Sequence, residues 1–317
     1  MTQTNPASNG TTYGTSLYAL NESNGSVVWG PVAIPGTYNR AGHAYDHGKV
    51  FVVNFDGMLR SFDAATGVAG WARQLPGQYA FSAPPTAVNG VVYVGGAGSG
   101  GTLYAVDEAT GDLLWTAGVG NGDQSSPTVS NDGVFVSYPC QAYKFDPLAG
   151  TPLWHYAGPC SGGGGKTTAF AADRLYVRDP TNLPNRIFDA ATGAQVGTFS
   201  STTIPALSGQ LAFYLSNGTL SAVNLATQGT SWTFTGDGGL EIAPIVIDSV
   251  VVIGSTSGAV YALNASTGTV LWSGQAGAAI LGPDEQNVST PLVGLGAGDG
   301  YLVVPATNLI RGWRIVP

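Results

Sequence analysis

One ten-residue phrase recurs along this chain, and its spacing limits the available folds more than any other feature. The copies are LNESNGSVVW (20–29), FDAATGVAGW (62–71), VDEATGDLLW (106–115), FDPLAGTPLW (145–154), FDAATGAQVG (188–197), VNLATQGTSW (223–232) and LNASTGTVLW (263–272). The Asp or Asn stands at positions 21, 63, 107, 146, 189, 224 and 264, at intervals of 42, 44, 39, 43, 35 and 40 residues. A period of that size holds four short strands and their turns, which is one blade of a β-propeller. Tryptophan follows the Asp or Asn by eight residues in six copies, and Gly197 takes its place in the other. A worn eighth copy, YLVVPATNLIRGWRIVP (301–317), has the strand pair that precedes the phrase elsewhere and stops before its Thr-Gly turn.

Alternation and turn residues divide one repeat, 125–158, into strands. Strand A is expected at 127–130, strand B at 134–137, strand C at 142–145 and strand D at about 152–156, with Asn131-Asp132-Gly133 as the A–B hairpin turn. The phrase then falls at the C–D turn. Its Asp or Asn can accept bonds from backbone N–H groups two residues on, and its Gly supplies a positive φ. Its Trp, on the outermost strand, can wedge between neighbouring blades. These residues therefore read as architecture, not as a site.

The chain of 317 residues reads as a single propeller domain, 1–317, of four-stranded antiparallel blades. Residues 1–16 read as an N-terminal loop of a truncated first blade, with an export signal expected upstream. Two strands from the first repeat, four from each of six and three from the last favour seven blades, closed by joining the terminal strands; eight is the alternative. Charged residues make up 9% of the chain and the net charge is -8, so there is no basic face for nucleic acid. No apolar run approaches the ~20 residues of a membrane span. A monomer is expected.

The repeat, roughly Ala-x-Asp-x-x-Thr-Gly-x-x-x-Trp, resembles the blade repeat of the quinoprotein propellers, the PQQ-like repeats, from residue 17 to about 316. Members include quinone-dependent dehydrogenases, an outer-membrane assembly lipoprotein and sensor ectodomains, so the resemblance implies a fold and not an activity. The dehydrogenases are similar in carrying a disulfide between adjacent cysteines over the quinone and acidic and amide ligands for calcium beneath it. This chain has no Cys-Cys pair and no CxxCH motif. No cofactor is expected, with calcium or PQQ as the alternatives. Cys140, at the B–C connection, and Cys160, after strand D, are expected to emerge on one face and form a disulfide, which implies an oxidising compartment. An extracellular or periplasmic location in a bacterium fits the habit of relatives.

A propeller binds at the mouth of its channel, where the D–A loops and the starts of the A strands point. The expected mouth comprises Arg40, His43, Tyr45, Tyr79, Ser82, Gln124, Ser125, Lys166, Thr167, Thr203, Glu241, Gln286, Asn287 and Ser289. Hydroxyls dominate the residues just before strand A. The loop 159–170 has four glycines before Lys166-Thr167, but Cys160 stands where a phosphate-binding loop needs glycine. The long loop GPDEQNVSTP (282–291) offers Asp284, Glu285 and Asn287 as metal candidates through hard oxygen ligands. His43 and His47 flank Asp46 at a spacing that makes a metal pair only on a helix, and this segment reads as strand and turn. For acid–base chemistry the candidates are His43 with Glu241 or Asp123. Two readings stand. One is a non-catalytic binding or scaffolding propeller with a protein, peptide or glycan partner; the other is an enzyme using the channel, a quinone- or calcium-dependent oxidoreductase or a metal-dependent hydrolase.

Overall fold

The computed structural model describes residues 2–5, 14–35, 42–77, 80–96, 101–120, 125–138, 140–159, 166–178, 184–283, 285 and 294–315. Among them every regular element is a strand. The first sheet holds β1 (Thr2–Asn5), β2 (Gly14–Leu20) and β3 (Val27–Ile34). Four-stranded sheets follow: β4 (His43–Asp46), β5 (Lys49–Val53), β6 (Met58–Asp63) and β7 (Ala69–Gln74); then β8 (Thr86–Val88), β9 (Val91–Gly96), β10 (Gly101–Asp107) and β11 (Leu113–Val119). Next are β12 (Thr128–Ser130), β13 (Gly133–Tyr138), β14 (Gln141–Phe145) and β15 (Pro152–Ala157), then β16 (Ala169–Ala171), β17 (Arg174–Val177), β18 (Asn185–Asp189) and β19 (Gln195–Phe199). The sheets β20 (Ala206–Ser208), β21 (Leu211–Ser216), β22 (Thr219–Asn224), β23 (Thr230–Phe234) and β24 (Ile245–Ile247), β25 (Val250–Gly254), β26 (Ala259–Asn264), β27 (Val270–Gln275) complete the four-stranded set. A last sheet holds β28 (Gly296–Gly298), β29 (Tyr301–Ala306) and β30 (Leu309–Arg314).

Each sheet is an antiparallel meander, the blade of a propeller, with strands A to D in chain order in the six complete blades. The terminal repeats give the two three-stranded sheets. Among the described residues the strand count is 30 rather than the 29 that the sequence arithmetic gives, because part of the expected N-terminal loop is strand: β1 pairs Thr2 with Leu17 and Asn5 with Gly14. Its polar residues carry no alternation, so register with β2 was its only mark.

Two compact units divide the chain: Met1–Leu183 with Phe188–Gln195 and Asp284–Leu292, and Pro184–Ile187 with Val196–Pro283 and Val293–Pro317. In both, the core lies between blades. In the first unit, Phe51, Val53 and Leu59 of one blade pack with Val92, Val94 and Tyr104 of the next, all at or below 1% exposure. In the second, Phe213, Leu215 and Leu220 pack with Val251, Ile253 and Leu263. Blades are thus bound by the apolar faces that alternation builds into strands B and C.

The repeated phrase shapes both turn and seam. Asp63 Oδ1 accepts the N–H of Ala65 at 3.1 Å, the N–H of Thr66 at 2.8 Å and the Thr66 hydroxyl at 2.7 Å. The Thr66 hydroxyl first, and its N–H next, hold the Asp63 carboxyl below its ordinary range. Trp29, Trp71, Trp115, Trp154 and Trp232 each donate the indole N–H to a carbonyl in the next blade's phrase, at 2.9–3.0 Å. The ring lies flat on the phrase's glycine: a Cβ added at Gly67, Gly111, Gly150, Gly193 or Gly268 would come 2.5–2.7 Å from it. Glycine serves there twice over, for positive φ and for closeness.

Candidate functional site

The residues before the A strands form the region that the sequence singles out. Arg40, Tyr79, Asp123, Gln124, Asp284, Gln286, Asn287, Ser289 and Cys160 lie outside the described residues. The rest can be placed. In the first unit, Ser125 is fully buried, donates its hydroxyl to Lys166 O at 3.3 Å and accepts the Ser137 N–H at 3.4 Å. Ser126 N–H reaches Thr167 Oγ1 at 3.3 Å. One step further in, Thr128 donates to Thr168 O at 2.8 Å, as Thr86 does to Pro127 O at 2.6 Å. These hydroxyls sew the A strands of consecutive blades together, because a backbone carbonyl at an inner seam needs a donor that the blade's own ladder does not provide.

Beside this stitching stands a charged pair. Thr167 N–H donates to Glu285 Oε1 at 2.9 Å, and Arg178 Nη2 donates to Glu285 Oε2. Both side chains are nearly closed to water, with 4% of Arg178 and 6% of Glu285 exposed. Burial of two charges is tolerated because they face each other and the carboxylate gains a backbone donor. Sequence reasoning singled out Glu285 for its loop and passed over Arg178. A signal was present: hairpin registers align Arg178 with Val53, Gly95, Ser137, Leu215, Gly254 and Pro305 at the same place in strand B, and only it is charged.

The other placed residues do not join this cluster. His43 opens β4 and is exposed, while surrounding chain crowds its imidazole. Solvent access and crowding act in opposite senses; crowding sets the direction, and the pKa lies below the ordinary histidine value. Tyr45 is 65% exposed. Ser82 is partly buried, with its hydroxyl shielded from water and lacking a hydrogen-bond partner. In the second unit, Thr203 is buried and its carbonyl accepts the Ser201 hydroxyl at 2.8 Å, whereas Glu241 is exposed. Cys140 is buried at the B–C connection between β13 and β14, with positive φ, and no described cysteine is free.

The blades, the Asp-Thr-Gly turn and the Trp-on-Gly seam define a propeller of the quinoprotein repeat class. The chain belongs to the family described as outer membrane protein assembly factor BamB, whose model matches residues 13–157, 56–183 and 185–308. It is 24% identical over 254 residues to the outer membrane protein assembly factor BamB of Shewanella oneidensis, covering 74% of this chain and 57% of that protein. It is also 27% identical over 241 residues to the quinohemoprotein alcohol dehydrogenase ADH IIB of Pseudomonas putida, covering 70% of this chain and 32% of that protein. Over 164 residues it is 30% identical to the tetrathionate hydrolase of Acidithiobacillus ferrooxidans, which covers 43% of this chain and 32% of the hydrolase. The chain thus spans 32% to 57% of the length of these relatives.

Solved structures agree on the fold. BamB from Moraxella catarrhalis superposes with a TM-score of 0.71 at 18% identity, over 98% of this chain and 96% of that one. The quinohemoprotein alcohol dehydrogenase from Comamonas testosteroni gives 0.70 at 15% identity, over 93% of this chain and 68% of that one. The sequence has no adjacent cysteines, and both oxygens of Glu285, the described member of the acid-and-amide loop, are engaged by Arg178 and Thr167.

Proposed function

We propose that this chain is a non-catalytic binding or scaffolding propeller that works outside the cytoplasm and holds a protein, peptide or glycan partner with its D–A loops. The observation that carries this reading is the Thr167–Glu285–Arg178 cluster. Its polar groups are bonded to one another and fix the approach to strand A as a rigid base, while Lys166 beside it remains partly exposed. A rigid base under variable loops is the arrangement that binding modules use. Family membership supports the same reading, since the family is described by an assembly factor. A protein partner in assembly at the outer membrane is the form we favour. Cys140 and Cys160 form a disulfide in this reading, which non-reducing peptide mapping would show as a single linked peptide pair.

The test compares the two ends of β15. A photo-crosslinking residue replaces Lys166, in the loop that follows this strand, or Leu148, which is 88% exposed in the turn before it. In cells of the source organism, position 166 is expected to give a defined protein or glycan adduct and position 148 none. Equal adducts at both, or adducts at 148 alone, would refute binding through the D–A loops. Likeness to the Pseudomonas putida dehydrogenase favours the enzyme reading. That reading requires dye reduction by the purified chain with added quinone, calcium and a primary alcohol; none is expected.

A further inference from the structure

Glu108 occupies the place after the Asp or Asn of the repeated phrase, where the other copies carry Glu22, Ala64, Pro147, Ala190, Leu225 and Ala265. Glu22 is exposed, and the remaining five are apolar. Glu108 is the buried acid of the set, with 5% of its side chain exposed. Among the described residues its carboxylate meets the imidazole of His47, Nδ1 to Oε2 at 3.4 Å, across the seam between the β4–β7 blade and the β8–β11 blade. Asp46 Oδ2 lies 3.2 Å from the same Nδ1, shielded from water and without a hydrogen-bond partner. Lys49 stands beside them, but its ammonium donates to Glu108 O, the main-chain carbonyl, at 3.1 Å, so the carboxylate lone pairs are left to the cluster.

We propose that Asp46, His47 and Glu108 form a divalent transition-metal site of the kind zinc occupies, pinning two blades together. One ligand atom from each lies within 4.8 Å of the others. A tetrahedral ion with bonds of about 2.0–2.2 Å sets its ligands roughly 3.3–3.6 Å apart, close to the two observed separations. Three lone-pair donors facing one another repel unless a proton or a cation stands between them, and one proton on Nδ1 can serve only one carboxylate well. The imidazole nitrogen selects zinc, nickel or cobalt over calcium and magnesium, which take oxygen ligands. Three protein ligands leave a fourth position for water. No segment of the repeat predicts this set, because its members come from an A–B turn and a C–D turn of different blades.

Internal precedent supplies variants that keep the fold. Glu108→Ala restores the residue of three other copies, and His47→Asn puts asparagine at positive φ, as Asn89 stands in the next blade's A–B turn. The test is calorimetric titration of the tag-free, chelator-stripped chain with zinc, with calcium and magnesium as comparators, alongside the visible spectrum of added cobalt(II). One zinc per chain and a tetrahedral cobalt spectrum are expected, with affinity falling in each variant by at least the ~10–100-fold that loss of an outer-shell partner costs, while circular dichroism stays unchanged. No zinc binding by the wild type would overturn the proposal. Equal binding by the wild type and both folded variants would place the ion elsewhere and overturn it as well.

Discussion

The seam closed by Trp115 and the seam that follows β19 treat the same repeat in opposite ways. At the first, the indole lies on Gly150 and donates to Pro147 O at 3.0 Å. At the second, Gly197 stands where the tryptophan would be, and Gln228 stands where the next blade's glycine would be. Gln228 keeps the positive φ of 57° and donates its side-chain amide to Leu225 O at 2.8 Å, so the turn survives. Phe199, stacked on Tyr214 at 5.1 Å between ring centres, takes over part of the apolar seam. The difference teaches that the glycine is held less by the turn than by the ring above it. Where the ring is gone, a side chain is admitted despite the strained backbone.

The largest test removes a ring. Trp115→Ala is expected to cost about 3–5 kcal/mol, the range for emptying a large buried aromatic site. Denaturant unfolding would show it as a lower midpoint at unchanged slope. A loss below ~1 kcal/mol would make the indole an ornament and erase the contrast between the seams.

Next comes Gly150→Ala, whose Cβ would stand 2.5 Å from the Trp115 ring at a φ of 67°. Overpacking and positive φ together predict a loss of about 2–3 kcal/mol. In a Trp115→Ala background the same change should cost only the φ part, roughly 1 kcal/mol. That difference is the coupling energy of a double-mutant cycle, and additive losses would show that ring and glycine are independent.

The reverse experiment installs the missing ring. Gly197→Trp alone should destabilise by about 1–3 kcal/mol, since the ring meets Gln228. Gln228→Gly alone should change stability by no more than ~0.5 kcal/mol. Combined, the two should recover most of the loss; a combination no better than the sum would sink the idea that these positions are linked.

These seams were legible in the sequence because they repeat. Trp, Asp, Thr and Gly at fixed offsets gave blade, turn and wedge, and the strands of the 125–158 repeat fell within a residue or so of 128–130, 133–138, 141–145 and 152–157. What does not repeat was harder. Arg178 and Glu285 lie 107 residues apart, and nothing in either segment names the other. Glu108 precedes the exposed turn residues Ala109 and Thr110, whereas its neighbours in space are Asp46 and His47. The hydroxyls before strand A were visible as a pattern, and the structure shows Ser125 and Thr128 acting as stitches between blades.

The smallest effect separates aspartate turns from asparagine turns. Asp63 and Asp189 each accept a threonine hydroxyl and two backbone N–H groups, and the Thr66 and Thr192 hydroxyls are the largest influence holding these carboxyls below 3.8. Asn264 accepts the N–H groups of Ser266 and Thr267 at 3.0 Å each through an amide oxygen that does not titrate in this range. A carboxyl whose folded pKa is depressed stabilises the fold fully above its unfolded value and loses that contribution as pH falls through the folded one. The turns at 63 and 189 should therefore loosen below about pH 3.8, while those at 224 and 264 hold. Hydrogen exchange at the Thr66 and Thr192 amides, corrected for intrinsic rates, should accelerate between pH 5 and ~3 relative to Thr227 and Thr267. Asp63→Asn should abolish the response at Thr66 alone. Equal acceleration at all four amides would mean that the acid response belongs to the blades as a whole and not to the carboxylates in their turns.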